Sequence, residues 1–200
     1  CLLNEFIYDE SDAETSKIYE YEKRIFESKL LINEIDITKL SLYRRLSNYS
    51  GVNKIKKELI NFSAQKAINE TILEKDLKQD IQSFGKSKND VSKLVKQQYE
   101  ENPYPRWAKP TLLVNRVTVK AFLKKIDIKL DEHEYVGFER PDILVAGCGT
   151  GQHAINTSSV FQDSEVTAVD LSFNSLAYAK RKSIELKLDN INFIQGDLLN

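Results

Sequence analysis

Apolar residues recur at helical spacing over residues 1–101 and gather into short continuous runs after residue 141. In the first stretch Ile18, Tyr21 and Ile25 share one helix face, and Leu42, Leu46 and Tyr49 share a face of another. Gly51 and Gly85 mark breaks. From Asn89 the pattern sharpens: Asp90 stands near a helix start, and Val91, Leu94, Val95 and Tyr99 form a stripe expected to be buried. Asn102-Pro103-Tyr104-Pro105 stops that helix, because two prolines cannot continue it and restrict the residues before them. Trp107 reads as the apolar anchor of a packed linker.

Beyond the linker a short amphipathic helix is expected from Val117 to Ile126. Asp142-Ile143-Leu144-Val145-Ala146 then runs into Gly147-Cys148-Gly149-Thr150-Gly151, the reading of a buried parallel strand feeding a glycine turn. A helix follows from Gln152. A second strand, Val166 to Val169, ends in Asp170, and Ser172 caps a helix with Phe173, Leu176, Ala177, Ile184 and Leu188 as its inner face. A third strand, Ile191 to Ile194, ends in Gly196-Asp197. Alternating strands and helices predict a βαβαβ unit with a parallel sheet, preceded by an all-helical region. The expected divisions are a helical region at 1–101, a linker and lead-in helix at 102–140, and the α/β part at 141–200. With three strands only, Ile143–Ala146 would keep an apolar edge exposed, so the chain by itself is expected to be marginally stable and prone to aggregate.

Composition narrows the classes. With 29 Lys+Arg against 30 Asp+Glu, the chain has no global pull toward nucleic acid or an anionic membrane. No apolar run approaches the ~20 residues of a spanning helix. Cys1 and Cys148 are the only cysteines, and His133 and His153 the only histidines. That excludes a disulfide scaffold and leaves too few ligands for a Cys/His zinc site, so no metal is expected. Free cysteines point to a reducing compartment, the cytoplasm. A Cys start, the absence of Met and a stop just after a strand-like run point to a piece of a longer protein.

The glycine turn carries the chemistry. Glycine at a strand-to-helix corner reaches φ > 0 and lets a ligand approach where a Cβ would stand. In open α/β sheets ligands lie beyond the carboxyl ends of the strands, where this loop, Asp170 and Asp197 all fall. An acidic residue about 20 positions after such a loop can take both hydroxyls of a ribose. The dinucleotide fingerprint Gly-x-Gly-x-x-Gly would need glycine at 152, which is Gln152, and a P-loop would need Gly-Lys-Ser/Thr, which is absent. Cys148 reads as a small residue in a crowded loop rather than a reactive thiol, His153 as a surface or capping side chain, and His133 as solvated.

Ile143-Leu144-Val145-Ala146-Gly147-Cys148-Gly149-Thr150-Gly151 resembles motif I of the class I S-adenosylmethionine-dependent methyltransferases. Val169-Asp170-Leu171-Ser172 is similar to the end of their second strand, and Phe193-Ile194-Gln195-Gly196-Asp197-Leu198 to the end of their third. The resemblance implies a Rossmann-like sheet, of which 141–200 would be the N-terminal half, and S-adenosyl-L-methionine as cofactor. It implies that Gly147, Cys148, Gly149, Gly151 and Gln152 face its methionine part. It further implies that Asp170 holds the ribose, Leu171 packs on adenine, and Asp197 with the Leu198 amide reads the adenine edge. Many members carry an acidic residue where this chain has Val145, so one polar contact to the amino group must come from elsewhere or be lost. Acceptor-side residues are expected beyond Asn200, and the acceptor, a small molecule or a protein, is not read from the sequence.

The run Gln97 to Trp107 is similar to a stretch preceding the methyltransferase domain in bacterial proteins that often carry tetratricopeptide repeats upstream. Asn102-Pro103-Tyr104 differs from the Asn-Pro-Pro-Tyr loop of amino-directed DNA methyltransferases by lacking the second adjacent proline, and no nucleic-acid partner is expected. Tyr104 or Arg106 is a candidate to close over the cofactor. Two other readings stand beside methyl transfer: an NAD-dependent oxidoreductase, and a helical interaction module with an inactive methyltransferase-like part.

Overall fold

The computed structural model describes residues 10–27, 33–44, 46, 49–51, 55, 62–85, 89–107, 109–110, 112, 116–128, 131 and 139–198. The chain divides into two compact units, Cys1–Lys75 and Asp76–Asn200.

In the first unit α1 (Asp12–Glu22) opens with a reciprocal cap, Ser11 accepting from the Glu14 amide while the Glu14 carboxylate accepts from the Ser11 amide, and continues into a π turn at Lys23–Glu27. α2 (Glu34–Tyr43) is capped by Asn33. Ile18, Ile25, Ile37, Leu40, Leu46, Ile55 and Ile68 bury together, with Tyr21, Phe26 and Tyr49 against them. The face shared by Ile18, Tyr21 and Ile25 is therefore as expected. The second expected helix face is not one helix: α2 stops at Tyr43, and Arg44 is extended at φ −134°. Its guanidinium turns instead to the Glu10 carboxylate, one nitrogen at 2.8 Å, and holds that carboxyl below its ordinary range. Leu46 and Tyr49 reach the same core without the helix.

The second unit is built on a sheet. After α3 (Phe62–Gln79), whose last residues belong to this unit, come β1 (Gln82–Phe84), α4 (Asp90–Glu101), α5 (Val119–Lys125), β2 (Asp142–Ala146), α6 (Gln152–Val160), β3 (Glu165–Asp170), α7 (Phe173–Glu185) and β4 (Ile191–Gly196). The sheet order is β1-β4-β3-β2, parallel throughout, with Val145 opposite Ala168 and Ala168 opposite Phe193. The α/β, Rossmann-like parallel sheet expected from the sequence is present. It has a fourth strand where only helix was expected: Gln82–Phe84 pairs with Ile194–Gly196. Val145, Val166, Ala168 and Phe193 from the sheet meet Ala154, Leu176, Ala177 and Ala179 from the helices in one core. Among the described residues β2 has a neighbour on one side only, and its Leu144 is 63% exposed.

Two expected faces are revised. Leu176 and Ala177 are buried on α7 and Phe173 is half-buried, but Ile184, in the last turn, is more than half exposed. On α4 the stripe is turned outward: Val91 and Leu94 are 64% and 68% exposed while Ser92 is buried and Lys96 and Glu100 are half-buried. Polar contacts to α7 override amphipathicity here, as the site makes clear. No helix among the described residues is long and apolar enough to cross a membrane.

Candidate functional site

The carboxyl ends of β2, β3 and β4 converge on the glycine loop. Glycines 147, 149 and 151 all have left-handed backbones, at φ 68°, 53° and 81°. They do different work. A Cβ on Gly147 would meet nothing within 4 Å and one on Gly149 only the Tyr104 carbonyl at 3.9 Å, whereas one on Gly151 would lie 2.4 Å from the Ala179 Cβ. Gly151 thus serves the close packing of α6 on α7, while Gly147 and Gly149 leave room for a visitor at the strand ends.

The loop is tied to β3 by its backbone. The Cys148 amide donates to the Val169 carbonyl at 2.9 Å, and the Gly149 amide to Asp170 Oδ2 at 2.8 Å. The other Asp170 oxygen accepts from the Ser172 amide at 2.9 Å. Burial pushes the Asp170 carboxyl above its ordinary value, and the Glu100 charge pushes the same way. The Ser172, Gly149 and Leu171 amides oppose both. Register sets β4 beside this: Asp170 pairs with Gln195, and Asp197, 5% exposed, lies two residues further on. Gln195 Nε2 donates to the Leu171 carbonyl at 3.2 Å and so fixes the turn after β3 from the neighbouring strand.

The sequence-predicted residues therefore fall at one end of the sheet. Gly149 and Asp170 touch directly. Gly147, Gln152 and Leu198 are exposed at its rim, Gly149, Asp170 and Leu171 half-buried, and Gly151 and Asp197 buried. Cys148 is buried with the sheet core, and its thiol donates to the Gly149 carbonyl at 3.7 Å. Burial, with the Asp170 charge adding to it, pushes that thiol well above the usual range. Iodoacetamide at neutral pH is expected to leave Cys148 unlabelled in the folded chain and to label it fully in urea, as mapped by mass spectrometry of the Cys148 peptide; labelling of the folded chain at the unfolded rate would contradict the burial. His153 is exposed in the first turn of α6, and His133 and Cys1 lie outside the described residues.

Sequence reasoning missed what grips the loop from outside. Thr150 Oγ1 donates to the Pro105 carbonyl, Trp107 Nε1 donates to the Thr150 carbonyl at 3.1 Å, and Tyr178 Oη donates to the Trp107 carbonyl. Trp107 is buried edge-on to Tyr178, the anchor its composition predicts. Of the two candidate closing residues, Tyr104 is half exposed beside Gly149, and Arg106 lies over the Tyr178 ring at 5.1 Å. Glu100 accepts from the Phe173 amide at 2.7 Å and the Asn174 amide at 3.3 Å, capping α7 from another helix. Nothing in the periodicity of α4 marks Glu100, because its partners lie 73 and 74 positions away.

Residues 143–200 match the family model of a methyltransferase domain. The matched stretch holds the glycine loop, Asp170 and Asp197. The tRNA (guanine-N(7)-)-methyltransferase of Rubrobacter xylanophilus is 37% identical over 68 residues, covering 34% of this chain and 30% of that protein. The release factor glutamine methyltransferase of Deinococcus radiodurans is 38% identical over 61 residues, covering 30% of this chain and 22% of that protein. The chain thus spans less than a third of the length of the methyltransferase relatives it matches. A solved structure described as "Conversion of a Disulfide Bond into a Thioacetal Group during Echinomycin Biosynthesis" has a TM-score of 0.34 at 22% identity, covering 55% of this chain and 41% of that one, a likeness too slight to bear on the site.

Proposed function

We propose that this chain carries the donor side of an S-adenosylmethionine-dependent methyltransferase. One observation carries the reading: an acidic residue at the end of β3 reaches the amide of left-handed Gly149 in the loop after β2, and the Cβ directions of Gly149 and of Gly147 beside it are open. The residues present fit the cofactor on that ground. The Asp170 carboxylate is oriented by the Gly149 and Ser172 amides, one on each oxygen, and stands half-buried at the strand end where a ribose hydroxyl would reach it. The backbone of Gly147 to Gly151, with Gln152, would take the methionine part, Leu171 the adenine face, and Asp197 with the Leu198 amide the adenine edge.

When bound, the cofactor would supply a methyl group on a sulfonium, open to in-line attack by an acceptor lone pair with the thioether as leaving group. The chain's own contribution is to hold and orient. Asp170 fixes the ribose against the glycine loop, and the Trp107–Thr150 contacts keep that loop in register with α7. The two relatives act, by their names, on a tRNA guanine and on a release factor glutamine, so the shared stretch speaks for the donor and not for one acceptor. Against a nicotinamide dinucleotide, the close helix packing that a third glycine would serve is already met by Gly151 against Ala179.

The test is calorimetric titration of S-adenosylhomocysteine and, separately, NADH into the chain. Micromolar binding of the first and none of the second is expected. Binding of NADH instead would establish the oxidoreductase reading, and binding of neither by a folded chain the interaction module.

A further inference from the structure

We propose that Glu100 is a positioning residue for Asp170, holding the β3–α7 turn in its ligand-binding shape by capping α7 from α4; the proposal rests on the donor-site reading above. The first amides of a helix have no partner inside it. In α7 the Ser175 amide is taken by Ser172 Oγ at 3.1 Å, in the ordinary local way. The Phe173 and Asn174 amides go to the two oxygens of one carboxylate, Glu100. That carboxylate is itself held by Lys78 Nζ at 3.2 Å, and the same ammonium donates to Asn174 Oδ1 at 3.0 Å. Asn174 Nδ2 closes the arrangement on the Glu100 carbonyl.

Three observations separate this from an ordinary helix–helix contact. First, α4 turns Glu100 inward while exposing Val91 and Leu94, so the polar contact is made against the amphipathic preference of the helix. Second, only Leu171 and Ser172 stand between Asp170 and the amides that Glu100 holds, and the Ser172 amide is bound to Asp170 itself. Third, the Glu100 charge opposes ionisation of the carboxyl it supports. The chain leaving α4 then passes to Pro105 and Trp107, which grip the glycine loop, so one continuous segment holds both loops of the site.

The experiment compares Glu100→Ala, Glu100→Gln and Asn190→Ala with the unaltered chain by three readouts: S-adenosylhomocysteine affinity, melting temperature, and hydrogen exchange of the Phe173 and Asn174 amides without ligand. Asn190 bonds the Ser158 and Ser164 carbonyls at the opposite ends of the strands and serves as the control for lost stability. Glu100→Ala is expected to weaken affinity about tenfold and to deprotect both amides, with Glu100→Gln recovering part of each. Asn190→Ala is expected to lower the melting temperature and leave affinity within about twofold. Unchanged affinity in Glu100→Ala, unchanged amide protection, or an equal affinity loss in Asn190→Ala would each overturn the proposal. No binding by the unaltered chain would instead overturn the donor-site reading, and the amide exchange, which needs no ligand, would still report on the hold that Glu100 has over α7.

Discussion

Gly151→Ala is expected to destabilise the Asp76–Asn200 unit by roughly 2–5 kcal/mol, a large share of the stability of a domain. Two independent costs combine. The backbone sits at φ 81°, where an L side chain loses about 1–2 kcal/mol. The new Cβ would also stand 2.4 Å from the Ala179 Cβ and 3.2 Å from its Cα, so the clash is with helix backbone and no rotamer change relieves it. Overpacking of that kind costs about 1–3 kcal/mol. Gly147→Ala is the matched comparison: its φ is 68°, but the added Cβ meets nothing within 4 Å, so only the backbone cost applies. Urea midpoints of the two variants, and of Gly151→Ala combined with Ala179→Gly, separate strain from clash. Equal midpoints for the two single variants would show that α6 does not press on α7 through Gly151.

On the proposed donor-site reading, Asp170→Ala is expected to weaken S-adenosylhomocysteine binding at least about 100-fold, because the charge-assisted bonds that the carboxylate would make to the ribose are removed together. It also leaves the Gly149 and Ser172 amides without their acceptor, so stability falls as well. Asp170→Asn divides the two effects. It keeps the shape and one acceptor oxygen and sheds the charge that burial opposes, but sets its NH2 against the Gly149 or Ser172 amide, so it is expected to melt between the unaltered chain and Asp170→Ala while binding poorly. A pH series gives a further check. The folded carboxyl titrates above its ordinary value, so protonation is favoured by the fold. As pH falls through that raised value the group becomes neutral: affinity drops at a higher pH than a solvated aspartate would give, while its contribution to folding becomes less unfavourable. Full affinity retained by Asp170→Asn at neutral pH would remove Asp170 from the ribose.

The parts of the site legible in the sequence are those whose signals are local. A short apolar run, a glycine cluster and an acidic residue at the next strand end each declare themselves within a few positions, and β2, β3, β4 and the Gly147–Gly151 loop lie where those signals put them. Ser172 is legible as a cap for the same reason. Glu100 and Thr150 are not, since a glutamate late in an amphipathic helix and a threonine between glycines look unremarkable until the fold brings their partners across. The α4 stripe misleads because hydrophobic spacing predicts burial only when no stronger polar demand turns the helix. Two orphan amides of α7 make that demand. β1 is illegible on length: three residues, two of them polar, carry no periodicity, and the strand exists because β4 offers its edge.

That last pairing has a consequence for the order of events during synthesis. Ser83 and Gln195 bond across 112 positions, joining the first and last of the described strands. β3 can add to β2, and β4 to β3, once the intervening helices have formed, whereas β1, made long before, must wait for β4, its neighbour in the sheet. Until Gly196 arrives, the Phe84 ring lacks the bare backbone on which it comes to rest, since any Cβ there would fall 2.4 Å from it. Among the described strands this pairing spans the greatest sequence separation, which makes its loop the costliest to close.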